Sequence, residues 1–430
     1  NVNEALGIAA SNFYGAPSRA LKLVGITGTN GKTTIATSLF RLFRRLGHKA
    51  GLLSTIENRI NDRIVATTHT TPDAMAINKL MRTMANAGCE YCFMEVSSHA
   101  LTQYRTAGLR FTGGVFSNLS QDHLDYHVTL DNYLAAKKSF FDHLPSDAFA
   151  LANADDPSTE RMLDNCGARK FYYGMETLDG GYAGNHHANV GAPPCGCPPR
   201  ESPYTCRILE SRFGGMRLSM DGTEIRTGRI GRFNAYNLLA VYAAAVLLDQ
   251  PRNRVLACLG ALGSVAGRFE SVESDEAGST PGVTAIIDYA HTPDALENVL
   301  QTINHIRDTN ARVITVVGAG GDRDRTKRPL MAKIATRMSD RVVLTSDNPR
   351  SEDPARIIED MRQGIEAENA EKVMTVIDRK QAIKSALRLA KRGDIVLVAG
   401  KGHENYQEVK GVRRHFDDKE VVTEILMENC

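Results

Sequence analysis

The sequence lacks any uninterrupted apolar stretch of the roughly 18–20 residues needed to cross a bilayer, which excludes a helical membrane span. It also lacks a charge excess. Lys plus Arg (52) nearly cancels Asp plus Glu (50), a formal net charge of +2, so there is no global basic field for nucleic acid. Tryptophan is absent. No basic segment followed by an apolar one opens the chain, so no secretory signal is visible. The first residue is Asn1 rather than Met, which leaves room for upstream sequence. Nor is there a disulfide framework: the eight Cys are scattered and several lie in apolar segments. Reduced thiols in a cytoplasm are the expectation.

What is present is a 430-residue chain, 42% hydrophobic and 24% charged, enough for two or three domains. From Leu21 to Asp155 short apolar runs alternate with helical patterns. Residues 23–27, 51–54, 91–96, 115–117 and 148–152 read as buried strands; 32–46, 72–87 and 130–144 read as helices. Pro72 and Asp73 are expected to open the second helix and Gly88 to close it. Such alternation predicts an α/β fold with a parallel sheet covered on both faces. Residues 177–203, rich in Gly and Pro, read as a loop or insertion. Antiparallel strands over 204–213, 216–220 and 223–227 and an apolar helix over 233–248 follow. Alternation restarts with strands 283–288, 312–317, 341–346, 372–377 and 394–399, and helices 293–306, 329–338, 353–366 and 379–390. The expected organisation is residues 1–20, a central domain over 21–262 and a second α/β domain over 263–430.

The first strand runs into Gly28-Thr29-Asn30-Gly31-Lys32-Thr33-Thr34 and then a helix. Backbone N–H groups of such a turn, backed by a helix N-terminus, cradle phosphate oxygens. Lys32 would lie along the β/γ-phosphates and the Thr33 hydroxyl would reach Mg²⁺. The general phosphate-loop pattern asks for Gly at position 26, where this chain has Ile26, with Gly25 one residue off. The strand–Gly–Lys–Thr–helix context is nevertheless that of a nucleotide site.

Gly28 to Thr33 resembles the ATP loop of the Mur ligases, which add amino acids to the peptidoglycan precursor. Further blocks resemble that family in order: Glu95-Val96-Ser97-Ser98-His99, Asn118 to His127, Gly267-Arg268-Phe269-Glu270 and Asp288 to Asp294. Gly320 to Asp324, Asp347-Asn348-Pro349-Arg350 and Gly400 to Glu404 complete the series. The resemblance implies a central P-loop-type ATPase domain and a Rossmann-like C-terminal domain. It is strongest to members that join meso-diaminopimelate to UDP-MurNAc-L-Ala-D-Glu with ATP and Mg²⁺, as cytoplasmic monomers. The family also has an N-terminal domain for the uridine diphosphate moiety. Only about 20 residues precede the first strand here, and Asn1–Phe13 resembles the tail of that domain, so it is expected to be largely missing from this chain.

The resemblance also implies site roles. Gly28, Thr29, Asn30, Gly31, Lys32, Thr33 and Thr34 would bind ATP, with Asn234 and, more weakly, Asn237 on a later helix. Arg268, Asp288 and His291 would close over the nucleotide. Glu95 ends a buried strand, where open α/β sheets bind ligands, and Mg²⁺ beside a nucleotide takes only one or two carboxylates. The resemblance makes Glu95 that ligand, with Thr33, and puts His123 at a second Mg²⁺. Lys137 taken alone is a solvated helix lysine. The resemblance instead aligns it, rather than Lys138, with a lysine carbamylated by CO₂, whose carbamate would be a further metal ligand. Lys32, Lys137, Glu95 and His123 are the implied catalytic set.

Thr70, Thr71, Ser97, Gln103 and Arg105 would hold the muramoyl dipeptide, although Thr70 to Asp73 could equally be a helix cap. Arg323, Asp347, Asn348, Pro349, Arg350, Gly400 and Glu404 would bind diaminopimelate. There Arg350 suits the distal carboxylate that lysine lacks, and Glu404 the distal ammonium. Two alternatives remain: another enzyme of the superfamily (lysine-adding, or folylpolyglutamate synthase-like), and a non-catalytic scaffold. Arg350 and the Glu95 to His99 block weigh against the first; the full set of proposed ligands weighs against the second. His186, His187, Cys195, Cys197 and Cys206 lack the usual Cys-x₂₋₄-Cys spacing for zinc.

Overall fold

The computed structural model describes residues 1–67, 69–176, 204–273 and 282–427. The chain forms two units, residues 1–120 with 127–263, and residues 121–126 with 264–430.

In chain order, the first unit contains α1 (Val2–Phe13), β1 (Lys22–Thr27), α2 (Lys32–Arg45), β2 (Ala50–Leu53), β3 (Asn58–Ile60), β4 (Arg63–Val65), α3 (Ala74–Asn86), β5 (Tyr91–Glu95), α4 (Ser98–Thr102) and β6 (Gly113–Phe116). Past the short α5 (Leu124–His127) come α6 (Leu130–Asp142), β7 (Phe149–Asn153), α7 (Thr159–Leu163), β8 (Arg169–Met175), β9 (Tyr204–Arg212), β10 (Gly215–Met220), β11 (Thr223–Thr227), α8 (Arg232–Leu247) and α9 (Arg252–Gly260). The strands build one sheet in the order β11-β10-β9-β8-β7-β6-β1-β5-β2-β3-β4. Its middle, from β9 to β2, is parallel. Antiparallel strands extend both ends, so the sheet is mixed rather than purely parallel.

Side-chain alternation gives each central strand two buried faces. Val24 and Val115 join a core with α2, α8 and α9, while Leu23 and Phe116 join another with α3 and α6. Burial on both faces is why these strands read as continuous apolar runs. The β3–β4 hairpin is three residues per strand, too short and too charged to leave that signature. The α3 helix starts after Pro72. Asp73 is its N-cap, accepting from the Ala76 N–H at 2.9 Å, so Pro72 lies outside the first turn rather than in it.

The second unit holds β12 (Glu270–Glu273), β13 (Thr284–Asp288), α10 (Pro293–Ile306), β14 (Val313–Val317), α11 (Lys327–Met338), β15 (Arg341–Leu344), α12 (Pro354–Arg362), β16 (Val373–Thr375), α13 (Arg379–Leu389) and β17 (Ile395–Ala399). The β18 (Tyr406–Val409) and β19 (Val412–His415) hairpin and α14 (Asp418–Met427) follow. Its sheet order is β12-β13-β17-β14-β15-β16, parallel except for β12. The α11 helix begins at Lys327, two residues before Pro329, and α12 ends at Arg362 rather than running on to Glu366. Proline early in α11 costs no intrahelical bond, because first-turn N–H groups have no partner within the helix.

In both sheets a later strand lies beside or between earlier ones: β5 and β6 flank β1, and β17 separates β13 from β14. Ligands in open α/β sheets bind beyond the carboxyl ends of strands at such reversals. Those ends carry the residues described next.

Candidate active site

In the first unit, Gly28 follows β1 with φ +142° and Gly31 opens α2 with φ +87°. A Cβ at Gly28 would lie 2.0 Å from Ser117 Oγ, and one at Gly31 would lie 2.5 Å from Asn237 Oδ1. Only glycine fits either place. The segment after β6 braces the turn. Asn118 Oδ1 accepts from the Asn30 N–H (2.9 Å), Asn118 O from the Thr29 N–H (2.8 Å), and Thr29 Oγ1 from the Ser120 N–H (3.0 Å). The Thr34 side chain is buried in the first turn of α2. Of the two asparagines on α8, Asn237 is therefore the one against the loop. Asn234 donates to Ile230 O at 2.8 Å.

Lys32 Nζ folds back over the turn and donates to Gly28 O (2.9 Å) and Thr29 O (2.7 Å). Lys137 Nζ reaches the same Gly28 O at 2.7 Å from α6 and lies 4.5 Å from the Tyr133 ring centroid. Lys137 is 1% exposed, which overturns its composition-based reading as a solvated lysine. Lys138 instead pairs with Asp142 one turn on, at 2.5 Å. The helix thus presents Lys137, not Lys138, to the phosphate turn.

Glu95, wholly buried at the end of β5, accepts from Thr33 Oγ1 at 2.9 Å. Its other contacts are the Thr55 N–H (2.7 Å) and Thr55 Oγ1 (3.1 Å). Thr55 had no sequence signal, because it lies in the irregular segment between β2 and β3. A buried carboxylate touching the hydroxyl that opens a phosphate-loop helix is a donor pair suited to Mg²⁺, which completes its octahedron with phosphate and water. Among the described residues no cluster of three or more His, Cys, Asp or Glu side chains forms a metal cage.

Thr71, Ser97 and Arg105 converge at the same strand end. Thr71 Oγ1 donates to Glu95 O (2.8 Å) and accepts from the Ser97 N–H (3.1 Å). Ser97 caps α4 through the Ala100 N–H. Arg105 bonds Gln103 Oε1 twice, at 3.0 and 2.6 Å, and Thr71 O at 2.7 Å. Both acceptors of these three bonds are neutral oxygens. Thr70 Oγ1 accepts from Thr55 Oγ1 at 3.1 Å.

His123 is the residue expected at a second Mg²⁺. It belongs with residues 121–126 in the second unit, where its Nε2 is 3.3 Å from Asp122 Oδ2. Asp122 also faces Lys327 (3.7 Å) and His291 (3.8 Å). Burial alone would raise the Asp122 carboxyl, but His123, Lys327 and His291 together hold it below the ordinary range. Sequence periodicity cannot assign so short a segment to a unit.

Three motif blocks meet around Tyr289 in the second unit. The Arg268 guanidinium lies 4.4 Å from its ring centroid, and the His291 and His403 rings are 4.5 and 4.9 Å away. Asp288 accepts from the Phe269 N–H at 2.7 Å. Burial pushes Asp288 up to about 6 and Arg268 only partly offsets it. Burial lowers His291 to about 4 and His403 to about 3, with neighbouring cations adding to both shifts.

Beyond β15 and β17, Asn348 Nδ2 donates to Glu404 Oε2 (2.7 Å), while Lys401 Nζ reaches that oxygen (3.2 Å) and Asn348 Oδ1 (3.3 Å). Arg350, at φ +52°, donates to Gly321 O (2.7 Å). A Cβ on Gly320 would lie 2.9 Å from Arg350 NH1 and 3.8 Å from Arg323 Cγ, and one on Gly321 would lie 2.0 Å from Pro349 O. Arg323 itself is exposed and donates to Asp322 O. A Cβ on Gly400 would lie 2.6 Å from Asp347 Oδ2. Burial would raise Asp347, but Lys401 and Arg379 keep it below its usual range; burial and then Asp347 raise Glu404. Lys401 and Arg379 were not singled out in the sequence. Lys401 at least sits in the Gly-Lys-Gly-His-Glu block, whereas Arg379 acts through the distant Asp418. Cys206 is a buried free thiol; His186, His187, Cys195, Cys197 and the 177–203 insertion lie outside the described residues.

The chain matches two family models, the Mur ligase middle domain over residues 26–245 and the Mur ligase glutamate ligase domain over residues 267–402. It is 54% identical to the UDP-N-acetylmuramoyl-L-alanyl-D-glutamate–2,6-diaminopimelate ligase of Parabacteroides distasonis and 51% identical to that of Bacteroides fragilis, covering 98% of this chain and 81% of each relative. A solved structure of a ligase of the same name aligns with TM-score 0.63 and 32% identity over 99% of this chain and 83% of that one. The folylpolyglutamate synthase of Mycobacterium tuberculosis shares the fold at TM-score 0.70 and 17% identity, covering 93% of each chain.

Proposed function

Since the chain belongs to the Mur ligase family, we propose the following reading of its chemistry. The protein is an ATP-dependent ligase that adds meso-diaminopimelate to the UDP-MurNAc dipeptide in peptidoglycan synthesis. The observation that carries the site assignment is the pair formed by Thr33 and Glu95 beside the phosphate turn.

The D-glutamate γ-carboxylate is a poor electrophile. It attacks the γ-phosphorus of ATP and expels ADP to give an acyl phosphate. Lys32, with the turn's N–H groups, offsets charge on the transferring phosphoryl group. Thr33 and Glu95 would hold Mg²⁺, which supplies further charge neutralisation there when bound. Arg105, bonded in this structure to neutral oxygens, pairs with a carboxylate of the dipeptide, and Thr70, Thr71, Ser97 and Gln103 line its approach.

Lys137 is the carbamylation site in this reading. Its ammonium and that of Lys32 share the Gly28 carbonyl, an unfavourable juxtaposition of like charges. Addition of the neutral amine to CO₂, with loss of a proton, turns one of them into an anion suited to a magnesium shell. His123, beside Asp122, would take a second Mg²⁺ in this scheme.

In the second unit, Arg268, Asp288 and His291 serve the nucleotide. Arg350, with Arg323 nearby, takes the distal carboxylate of diaminopimelate. Asp347, Asn348, Pro349, Gly400 and Glu404 shape the rest of the pocket, Glu404 receiving an ammonium. The free amine attacks the acyl phosphate, phosphate leaves from the tetrahedral intermediate, and the amine proton is released. The reaction runs in the cytoplasm, and the chain acts as a monomer.

ADP release should require both UDP-MurNAc-L-Ala-D-Glu and meso-diaminopimelate. Equal turnover with L-lysine, or ADP release driven by glutamate on a folate, would overturn the assignment.

A further inference from the structure

Lys401 has no part in the reading above, yet it is wholly buried just past β17. Burying an ammonium is costly unless it is paired and hydrogen-bonded. Its Nζ lies 3.2 Å from Glu404 Oε2, 3.3 Å from Asn348 Oδ1 and 5.4 Å from the Tyr406 ring centroid. The backbone around it is tightly constrained. Gly400 and Gly402 have φ of +116° and +53°, and a Cβ on Gly402 would lie 2.6 Å from Gly267 O and 2.7 Å from Tyr289 Cβ. The Glu404 N–H donates to Lys401 O at 2.9 Å, so a single turn carries both charged side chains.

Asn348 is oriented by the same group. Its Oδ1 accepts from the Glu408 N–H (2.9 Å) and from Lys401, which leaves Nδ2 to donate to Glu404 Oε2 at 2.7 Å. Both donors therefore meet one oxygen of the carboxylate. The other, Oε1, meets the Tyr289 hydroxyl at a long 3.5 Å, and the Glu404 side chain keeps 16% of its surface exposed.

Charge points the same way. The carboxylates of Asp347, Glu404 and Asp418 surround the cations of Lys401 and Arg379, leaving one negative charge in excess. Arg350 also acts on Asp347, but in the reading above it is taken by the substrate's distal carboxylate. Burial and then Asp347 push the Glu404 carboxyl up; Lys401, by charge and hydrogen bond, and Asn348 hold it back. Burial raises both nearby phenols, Tyr289 and Tyr406, so they stay neutral.

We propose that Lys401 is a positioning residue for the amino-acid substrate: it holds Glu404 by Oε2 and so presents Oε1 to the distal ammonium of meso-diaminopimelate. The inference rests on the assignment of Glu404 to that ammonium. A substrate without a distal ammonium gains nothing from the arrangement, so Lys401 sets specificity without touching the ligand.

The test compares ADP release by the whole chain with meso-diaminopimelate and with 2-aminopimelate, which keeps the reacting amine and both carboxylates but lacks the distal amino group. The unsubstituted enzyme should favour meso-diaminopimelate by about 30-fold in kcat/KM, the scale of one charge-assisted hydrogen bond. Lys401→Met should reduce that preference to about threefold through the diaminopimelate KM, with the ATP KM within about twofold. General damage to the fold would instead slow both amino acids alike. Lys401→Met/Glu404→Gln removes both charges and serves if the single variant folds poorly. Its diaminopimelate KM should match that of Glu404→Gln within about twofold, since Lys401 acts through Glu404. Undiminished preference in Lys401→Met, or a loss shared equally by both amino acids, overturns the proposal. So does a KM about tenfold higher in the double variant than in Glu404→Gln. Equal use of both amino acids by the unsubstituted enzyme removes the Glu404 assignment itself, and the proposal with it.

Discussion

Two lysines reach one carbonyl oxygen at Gly28 on different tethers. Lys32 bonds back to Thr29 within its own turn, whereas Lys137 projects from the packed helix α6 with Tyr133 beneath it. Lys137→Ala is therefore expected to cut turnover by orders of magnitude while leaving nucleotide binding within a few-fold. Short carboxylic acids should restore part of the activity by replacing the carbamate oxygen, measured as ADP release against acetate or propionate concentration; failure of every acid to do so counts against the carbamate. Arg350 is held at φ +52° with one NH on Gly321 O, so its guanidinium is already oriented. Loss of one charge-assisted bidentate pair is worth ~2–4 kcal/mol. Arg350→Ala should accordingly raise the diaminopimelate KM by about 30- to 1000-fold with the ATP KM unchanged, and an unchanged amino-acid KM refutes that role. Lys137 also marks where residue-level reading stops. Its helix was legible from periodicity, but nothing local separates it from Lys138; only the family resemblance did so, and the structure buries Lys137 while Lys138 pairs with Asp142.

Arg379 ties elements together rather than touching a ligand. It opens α13, forms a two-point ion pair with Asp418 at the start of α14 (2.8 and 2.7 Å), and donates to Ala399 O at the end of β17. Its remaining NH1 lies 4.0 Å from Asp347. Both partners of the ion pair are completely buried, so removing one leaves an uncompensated charge, at a cost of ~3–5 kcal/mol. Arg379→Gln should lower the urea midpoint of the second unit accordingly, and Arg379→Met/Asp418→Leu should recover most of the loss. If the double variant is no better than the single, the pair is not what holds these helices. Elements of this kind bound what sequence could deliver. Strands buried on both faces, such as β1, β5, β13 and β17, were legible because a continuous apolar run is their physical signature. The β3–β4 and β18–β19 hairpins were not, having short strands with exposed and charged residues. Capping was half legible: Asp73 caps α3, but Pro72 falls two positions before its first residue, Ala74.

Across the molecule, the buried titratable groups around Tyr289 make the second unit's stability depend on pH. His291 and His403 are held to about 4 and about 3, against about 6.5 for an unfolded histidine. Both are neutral in the fold at pH 7. The stability they contribute is complete above pH 6.5 and disappears as the pH drops, through about 4 for one and about 3 for the other. Asp288 acts in the opposite sense. Raised to about 6, it contributes stability below its unfolded value that is lost as pH rises through 6. Between pH 6 and 4, therefore, the unfolded chain carries two extra protons on the histidines and the folded chain one on Asp288. The net difference of one proton costs on the order of 1 kcal/mol per pH unit on acidification. Hydrogen exchange of the β13 and β17 amides, measured at pH 7 and pH 5 after correction for intrinsic rates, should show the second unit less stable at pH 5. His403→Phe keeps a ring against Tyr289, removes the buried Nδ1 that has no hydrogen-bond partner, and leaves only one histidine to oppose Asp288. In that variant the two opposing contributions nearly cancel, so the stability difference between pH 6 and pH 4 should shrink toward zero; a slope equal to that of the unsubstituted chain would mean that His403 is not a buried neutral imidazole.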